Sequence, residues 1–267
     1  MADAVRGFAM IAGAWVRSAL SYRTSFVVGT LVQLVITFLD FAAIIIMFGH
    51  LDAFGGFSIS QIALLYAMSG FALGAADLLV GNSEALGRRI RDGSFDQMLV
   101  RPVPPLAQVA ADRFAIRRIG RIAQSLAVLT WALSTAPIDW TWGRVLVLVG
   151  AMACGAIIFC AVFVMGGAFQ IFAGDAAEVS NAFTYGGNTL TQYPMTIYPS
   201  ELVKGVTFIV PIAFVNWYPG LYILGVDDPF DLPSWLQFAS PVAAVGFVVA
   251  AAAFWRTAVR HYRSTGS

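Results

Sequence analysis

Lysine is nearly missing from this chain. Lys204 is the single one and Val203 precedes it, so no Gly-Lys pair exists and a phosphate-cradling Gly-x-x-x-x-Gly-Lys loop is excluded. Histidine is scarce as well: His50 and His261 form no His-Glu-x-x-His and leave no histidine-based zinc cluster. The two cysteines, Cys154 and Cys160, lie in one apolar run, too few for a disulfide scaffold, and read as small packed hydrophobes. No Gly-x-Ser-x-Gly elbow occurs; Gly81-Asn-Ser-Glu-Ala85 comes near it but has no histidine close in sequence. These absences exclude the common hydrolase and metal-site arrangements, so no catalytic residue and no metal ligand is assigned. Charge is also short, at 12% of residues, against about 25% in soluble domains. With 59% hydrophobic residues and mean hydropathy +0.77, the chain has too little polar surface to cover a water-facing globule.

What is present is a series of apolar runs. A membrane-crossing helix needs roughly 20 mostly apolar residues. Runs at 25–49, 58–80, 119–136, 145–171 and 236–255 meet that standard, and 205–224 does so despite Pro211, Asn216 and Pro219. They are too continuously apolar for the alternation of barrel strands. The expectation is an all-α polytopic membrane protein, one domain over 1–267 with about six transmembrane helices.

The signs of charge segregate. An even number of spans puts both termini on one side with the 81–118 and 172–204 segments. That side then holds 15 basic residues, against Arg144 alone on the other, which gathers Asp52, Asp139, Asp227, Asp228 and Asp231. By the positive-inside rule both termini are cytoplasmic, in a multi-pass protein of a cytoplasmic membrane. The arginines read as membrane-flank charges rather than as a nucleic-acid-binding stripe. Before the first span, Val5, Phe8, Ala12, Trp15, Val16 and Ala19 make an apolar stripe opposite Arg6 and Arg17, so 1–23 reads as an interfacial amphipathic helix and not as a signal peptide.

Two segments between the runs stand out. In 81–118, Asp92-Gly93 reads as a turn with Ser94 as N-cap, and Ser94–Val100 as two helical turns before Arg101-Pro102 ends them. Its apolar side, Phe95, Met98 and Leu99, is expected to be exposed and to seek a partner. The stretch 174–199, rich in Tyr, Thr, Asn and Gly, has two readings: a plain cytoplasmic linker, or a segment buried in protein or lining a watery cavity. Asp40 and Asp77 fall within spans, each either facing the bundle interior or served by interfacial water or a nearby Arg. Gly70-x-x-x-Gly74 and Gly166-Gly167 would permit close helix approach.

An amphipathic first helix, six spans, and Arg-Asp-Gly-Ser-Phe-Asp-Gln-Met-Leu-Val-Arg-Pro at 91–102 together resemble the ABC-2 type permeases, the membrane subunits of ATP-binding-cassette exporters. That motif and Asn-Ala-Phe-Thr-Tyr-Gly-Gly-Asn-Thr-Leu-Thr-Gln-Tyr-Pro at 181–194 resemble more narrowly the bacterial branch that includes viologen-exporter-like permeases. An importer-type Glu-Ala-Ala-x-x-x-Gly loop is absent, since Glu84-Ala85-Leu86 is followed by Ile90 where the glycine should stand.

The resemblance implies an elbow helix and a coupling helix seated in a groove of a separate ATPase. Carried over residue by residue, the coupling element is Arg91, Asp92, Gly93, Ser94, Phe95, Asp96, Leu99, Arg101 and Pro102. It implies two ATPase copies, a second and related permease, and ATP and Mg bound by the partner rather than by this chain. The expected function is a bacterial efflux permease for a lipophilic or drug-like substrate. Polar residues costly against lipid, namely Asp40, Asn181, Tyr185, Asn188, Thr191, Gln192 and Asn216, are expected along its path. A standalone carrier or channel is the alternative; it predicts inverted repeats or matched midplane polar residues, which are not evident.

Overall fold

The computed structural model describes residues 2–48, 53–174 and 176–264. Gly49, His50, Asp52, Asp175 and Ser267 lie outside the described residues. Among the described residues the regular structure is helical, apart from an isolated bridge between Phe54 and Phe57. The helices are α1 (Ala2–Ser21), α2 (Arg23–Phe48), α3 (Ile59–Val80), α4 (Leu86–Arg91), α5 (Ser94–Leu99), α6 (Pro105–Ala111), α7 (Ile119–Thr135), α8 (Trp142–Ala173), α9 (Ala177–Thr191), α10 (Ser200–Lys204), α11 (Trp217–Leu224) and α12 (Ser240–His261).

Among the described residues four apolar helices are long enough to cross a membrane: α2, α3 with its continuation to Arg91, α8 and α12. α7 matches the 119–136 run but has 17 residues, about 25 Å at the usual rise. α3 is the central helix, buried over most of its length against α7 and α8, while α12 lies along α8. Its glycines explain the closeness. A Cβ at Gly70 would fall 2.6 Å from Ser125 Oγ and one at Gly74 3.1 Å from Ile122, so these positions bring α7 in as the pattern implies. Gly166 and Gly167 do the same on α8, where added Cβ atoms would meet Ser180 at 2.9 Å and Ser83 at 3.0 Å. α2 stands at the rim, with Val28, Leu31, Val35, Phe38 and Leu39 exposed.

The bundle has a basic end, built on residues 81–118, and an opposite end with the 53–57 turn and the connections around 136–141 and 225–239. α1 is fastened to the basic end: it packs on α6, Gly7 abuts Val103, and Phe8 meets Phe114 edge-on at 6.1 Å. Val5, expected on the apolar stripe, is exposed, while Ala12 is buried.

Two expectations are corrected between 172 and 224. The polar stretch is not a linker held at the basic end; of its two readings the segment buried in protein is the one seen. α9 starts there, where Ser180 Oγ donates to Gly166 O at 3.0 Å, and the chain beyond it reaches the other end, where Thr196 Oγ1 donates to Gly55 O at 2.7 Å. Its 15 residues thus run along the bundle. Their polar side chains are tolerated there because they bond within it: Ser69 Oγ donates to Asn188 Oδ1 at 2.8 Å, and Ser69 also hydrogen-bonds Thr191.

The 205–224 run, conversely, is not one helix. From α10 the chain passes through a π-turn (Gly205–Ile209) to Val210, which lies beside Met165 and Gly166 deep on α8. It reverses at Pro211 and climbs through a 3₁₀ turn (Ile212–Val215) and α11 to Gly225, beside Arg144. This is a re-entrant hairpin. Pro211 breaks the hydrogen-bond ladder, and buried Asn216 ties the returning limb to α3 and α9 by donating to Leu65 O and Thr191 O. Lys204 therefore sits on the limb descending from the end that carries Arg144, and not at the basic end.

Candidate functional site: a polar cavity and a basic-end hairpin

α9 has two working faces. Residues Ser180, Thr184, Gly187 and Thr191, at helical spacing, are buried against the bundle. The neighbouring stripe of Asn181, Tyr185, Asn188 and Gln192 turns toward α2 and α7. There Tyr185, Asn188, Thr189, Gln192 and Tyr193 meet Asp40 and Ala43 of α2 and Arg121 of α7 around a cavity of about 290 Å³. A recess of about 30 Å³ continues from it toward Tyr66, Gln124 and Ser125.

Four of the residues expected on the path, Asp40, Tyr185, Asn188 and Gln192, thus share one cavity. The other three do not line it. Asn181 lies one turn toward the basic end; Thr191 and Asn216 are buried nodes holding α9 and the re-entrant hairpin to α3. For Thr191 and Asn216 the reason is direct: the Thr191 hydroxyl bonds Ser69 and carbonyls of its own helix, and the Asn216 amide nitrogen donates to Leu65 O and Thr191 O.

Arg121, Tyr66, Gln124 and Ser125 are additions that sequence reasoning does not supply. Arg121 reads in the sequence only as a flank charge, although Arg121, Gln124 and Ser125 recur at the spacing of one helix face within an apolar run. Arg121 caps the Tyr185 ring at 5.4 Å from the centroid, a cation–π contact that occupies one guanidinium face. Its Nη1 is buried without a hydrogen-bond partner, and so is Ser125 Oγ. Tyr66 donates to Thr37 O at 3.1 Å and accepts from Gln124 Nε2 at 3.3 Å, closing the recess on the α3 side.

Asp77 answers to the plainer of its two readings. Arg118 pairs with its carboxylate at 3.2 Å and also donates to its backbone carbonyl at 2.8 Å, while Tyr185 Oη reaches Asp77 Oδ1 at 3.4 Å. Glu84 accepts from Thr184 Oγ1 at 3.0 Å, a second tie between α9 and the end of α3.

At the basic end, the segment after α3 forms a hairpin of α4 and α5. Ser83 Oγ donates to Phe163 O at 3.0 Å, Gly87 N–H to Gln170 Oε1 at 2.9 Å, and Gln108 Nε2 to Met98 O at 2.8 Å. An ion pair joins buried Arg89 to half-buried Asp112 at 2.7 Å. The expected turn is present, with Gly93 in the left-handed region at φ 71°, but the capping is reversed from expectation: Asp92 Oδ1 accepts from both Ser94 N–H and Ser94 Oγ. Those two donors hold the Asp92 carboxyl below the usual carboxylate range.

The apolar side of α5 is a correction. Phe95 is fully buried, Met98 is buried and Leu99 is half-buried. Phe95 meets the Tyr262 ring edge-on at 5.0 Å, while Tyr262 Oη and Ser264 Oγ donate to the two Asp96 oxygens at 2.9 Å and 2.7 Å. Burial, with the Asp96 carboxylate second, pushes the Tyr262 hydroxyl up to about 12. The chain's own C-terminal segment covers the face expected to be open. What the hairpin presents outward is Arg91, Asp92, Gln97, Val100, Arg101 and Pro102, with Val100 85% exposed.

Residues 34–266 match the family described as ABC-2 family transporter protein. The chain belongs to this ABC-2 transporter family. No curated protein and no solved structure matches it. As an ABC-2 permease it is a membrane component of an ABC transporter, and its family implies an ABC ATPase as partner. The resemblance read from residues 91–102 and 181–194 therefore holds at the level of the family.

Proposed function

We propose that this chain is the permease subunit of an ATP-driven exporter in a bacterial cytoplasmic membrane, with both termini cytoplasmic. In this reading it pairs with a second, related permease and two ATPase copies that bind ATP and Mg. The observation that carries the proposal is the cavity between α2, α7 and α9: a carboxylate, a guanidinium and several uncharged polar groups gathered at membrane depth. Polar groups in such a place are costly unless they serve a path or a partner. The open apolar face of α2 beside the cavity suits the second permease or lipid. Viologen-exporter-like permeases, with lipophilic, drug-like cargo, are the branch its motifs resemble.

Coupling runs through the basic-end hairpin. Its exposed tip, Val100, Arg101 and Pro102 together with Arg91 and Asp92, meets the ATPase; Phe95, Asp96 and Leu99 transmit motion inward by packing on the chain itself. Gly93 and Ser94 set the turn that aims the tip. ATP-driven movement of the tip would tilt α4 and, through the hydrogen bonds of Ser83 and Gly87, rock α3 against α8. The test is Val100→Asp with Arg101→Glu in the complex co-purified with its ATPase. Loss of co-purification or of permease-dependent ATP hydrolysis, with the chain still inserted, is expected; normal values for both would remove the tip from the interface.

A further inference from the structure

The charges in the α2–α7–α9 cavity point to the class of molecule it receives. Asp40 lies eight residues before the end of α2, about 12 Å along the helix from it at the usual rise. Arg121 faces the same cavity from α7, and these two are the charged residues among those lining it. Among the described residues no ion pair joins them. Opposite charges that line one cavity without pairing hold one positive and one negative locus open.

Each locus carries further marks. Of the other acids near Arg121, Asp77 already has Arg118 at 3.2 Å and Glu84 accepts from Thr184 Oγ1, while Arg121 Nη1 is left buried with no acceptor. Beside it Ser125 is fully buried with its Oγ unpartnered, in space that Gly70 leaves open by lacking a Cβ. Arg121 Nη1, a cationic donor without an acceptor, calls for an anionic group, while the recess of about 30 Å³ beside Ser125 has room for a single water. Asp40 is exposed on its side of the cavity, with the Tyr193 ring also at the wall, a carboxylate and an aromatic suited to a quaternary or primary ammonium. Exposed Ile36 and Leu39, close to Asp40 on α2, offer an apolar track for an alkyl chain.

We infer that the cavity binds a zwitterionic amphipath, its anionic group on Arg121, its cationic group against Asp40, and its apolar part along α2. This rests on the reading of the cavity as a substrate path. A molecule without net charge matches a site whose own charges cancel, and leaves neither locus unpaired.

The experiment uses the full chain in nanodiscs, with Thr189→Cys as the single thiol in a Cys154→Ala, Cys160→Ala background. Thr189 is exposed at the cavity wall. Labelling by a water-soluble maleimide is timed with octylphosphocholine, octyl phosphate, octyltrimethylammonium or octyl glucoside added. At ten times its Kd, octylphosphocholine should slow labelling roughly tenfold, since about nine-tenths of the sites are then filled, while the other three protect little. Asp40→Asn should shift protection toward octyl phosphate and Arg121→Gln toward octyltrimethylammonium; if the latter variant does not fold, the former still decides. Slower labelling in discs containing phosphatidylethanolamine than in phosphatidylglycerol discs, with no probe added, would make the zwitterion a resident lipid headgroup; equal rates in both discs, with octylphosphocholine still protecting, would make it a mobile ligand. Equal protection by all four amphipaths overturns the zwitterion inference and leaves the path standing. A thiol that never reacts overturns the path reading itself.

Discussion

Replacing Phe95 by alanine separates an internal strut from a docking contact. The ring is fully buried, wedged between α4, α5 and the Tyr262 ring at 5.0 Å, so its removal leaves a cavity rather than a bare surface. Truncations of that kind cost about 3–5 kcal/mol. The loss should fall on the basic-end hairpin: without Phe95 the Tyr262–Asp96 hydrogen bond at 2.9 Å loses the packing that aligns it, and the C-terminal segment should detach. Thermal unfolding of the purified chain, followed together with hydrogen exchange over residues 86–111 and 255–264, reads this without any ATPase present. The expected result is a lower Tm and faster exchange in both stretches. An unchanged Tm and unchanged exchange, combined with lost ATPase binding, would mean that Phe95 faces the partner and that its burial against Tyr262 is wrong.

Other positions extend the test. Arg89→Met breaks the pair with Asp112, whose carboxylate is 29% exposed and regains water, so the loss should stay below the about 3–5 kcal/mol of a fully buried pair, measured by denaturant or thermal unfolding. The double variant Arg89→Met, Asp112→Leu should recover most of the loss. Gly167→Val would drive side-chain atoms into Ser83, which lies only 3.0 Å from where a Cβ on Gly167 would stand, and should cost about 1–3 kcal/mol by the same measurement. Asn216→Leu removes both donations that hold the re-entrant hairpin to Leu65 and Thr191, and should raise hydrogen exchange over 205–224 while α12 keeps its protection.

Much of the fold is legible in the sequence, because apolar runs of sufficient length at 25–49, 58–80, 145–171 and 236–255 correspond to α2, α3, α8 and α12. The short helix after Asp92-Gly93 and the close approaches at Gly70 and Gly166 are legible for local reasons, a turn dipeptide and missing side chains. α9 is not. Its Thr and Asn residues lower its hydropathy, and what makes them tolerable is far away in sequence: Ser69 for Asn188 and Thr191, Glu84 for Thr184. Hydropathy scores a residue by its own polarity and is blind to a partner about a hundred positions distant. The same blindness makes 205–224 look like a span, since apolar content says nothing of a reversal at Pro211. Half the cavity is legible, on α9 and at Asp40; Arg121 is not, because a charge near a span end reads first as a flank.

The central claim is that the segment 177–200, α9 and the stretch after it that reaches Gly55, crosses the membrane-embedded bundle, with the re-entrant hairpin following it. The most direct measurement is sidedness of labelling at its two ends. Glu178→Cys and Ser200→Cys, both at exposed positions, are placed singly in a cysteine-free background and treated with a membrane-impermeant maleimide in intact cells and in inverted vesicles. Glu178→Cys should label only in inverted vesicles, and Ser200→Cys only in intact cells. If both label from the same side, 177–200 does not cross, the segment 205–224 regains its place as a span, and the cavity between α2, α7 and α9 loses its position in the membrane.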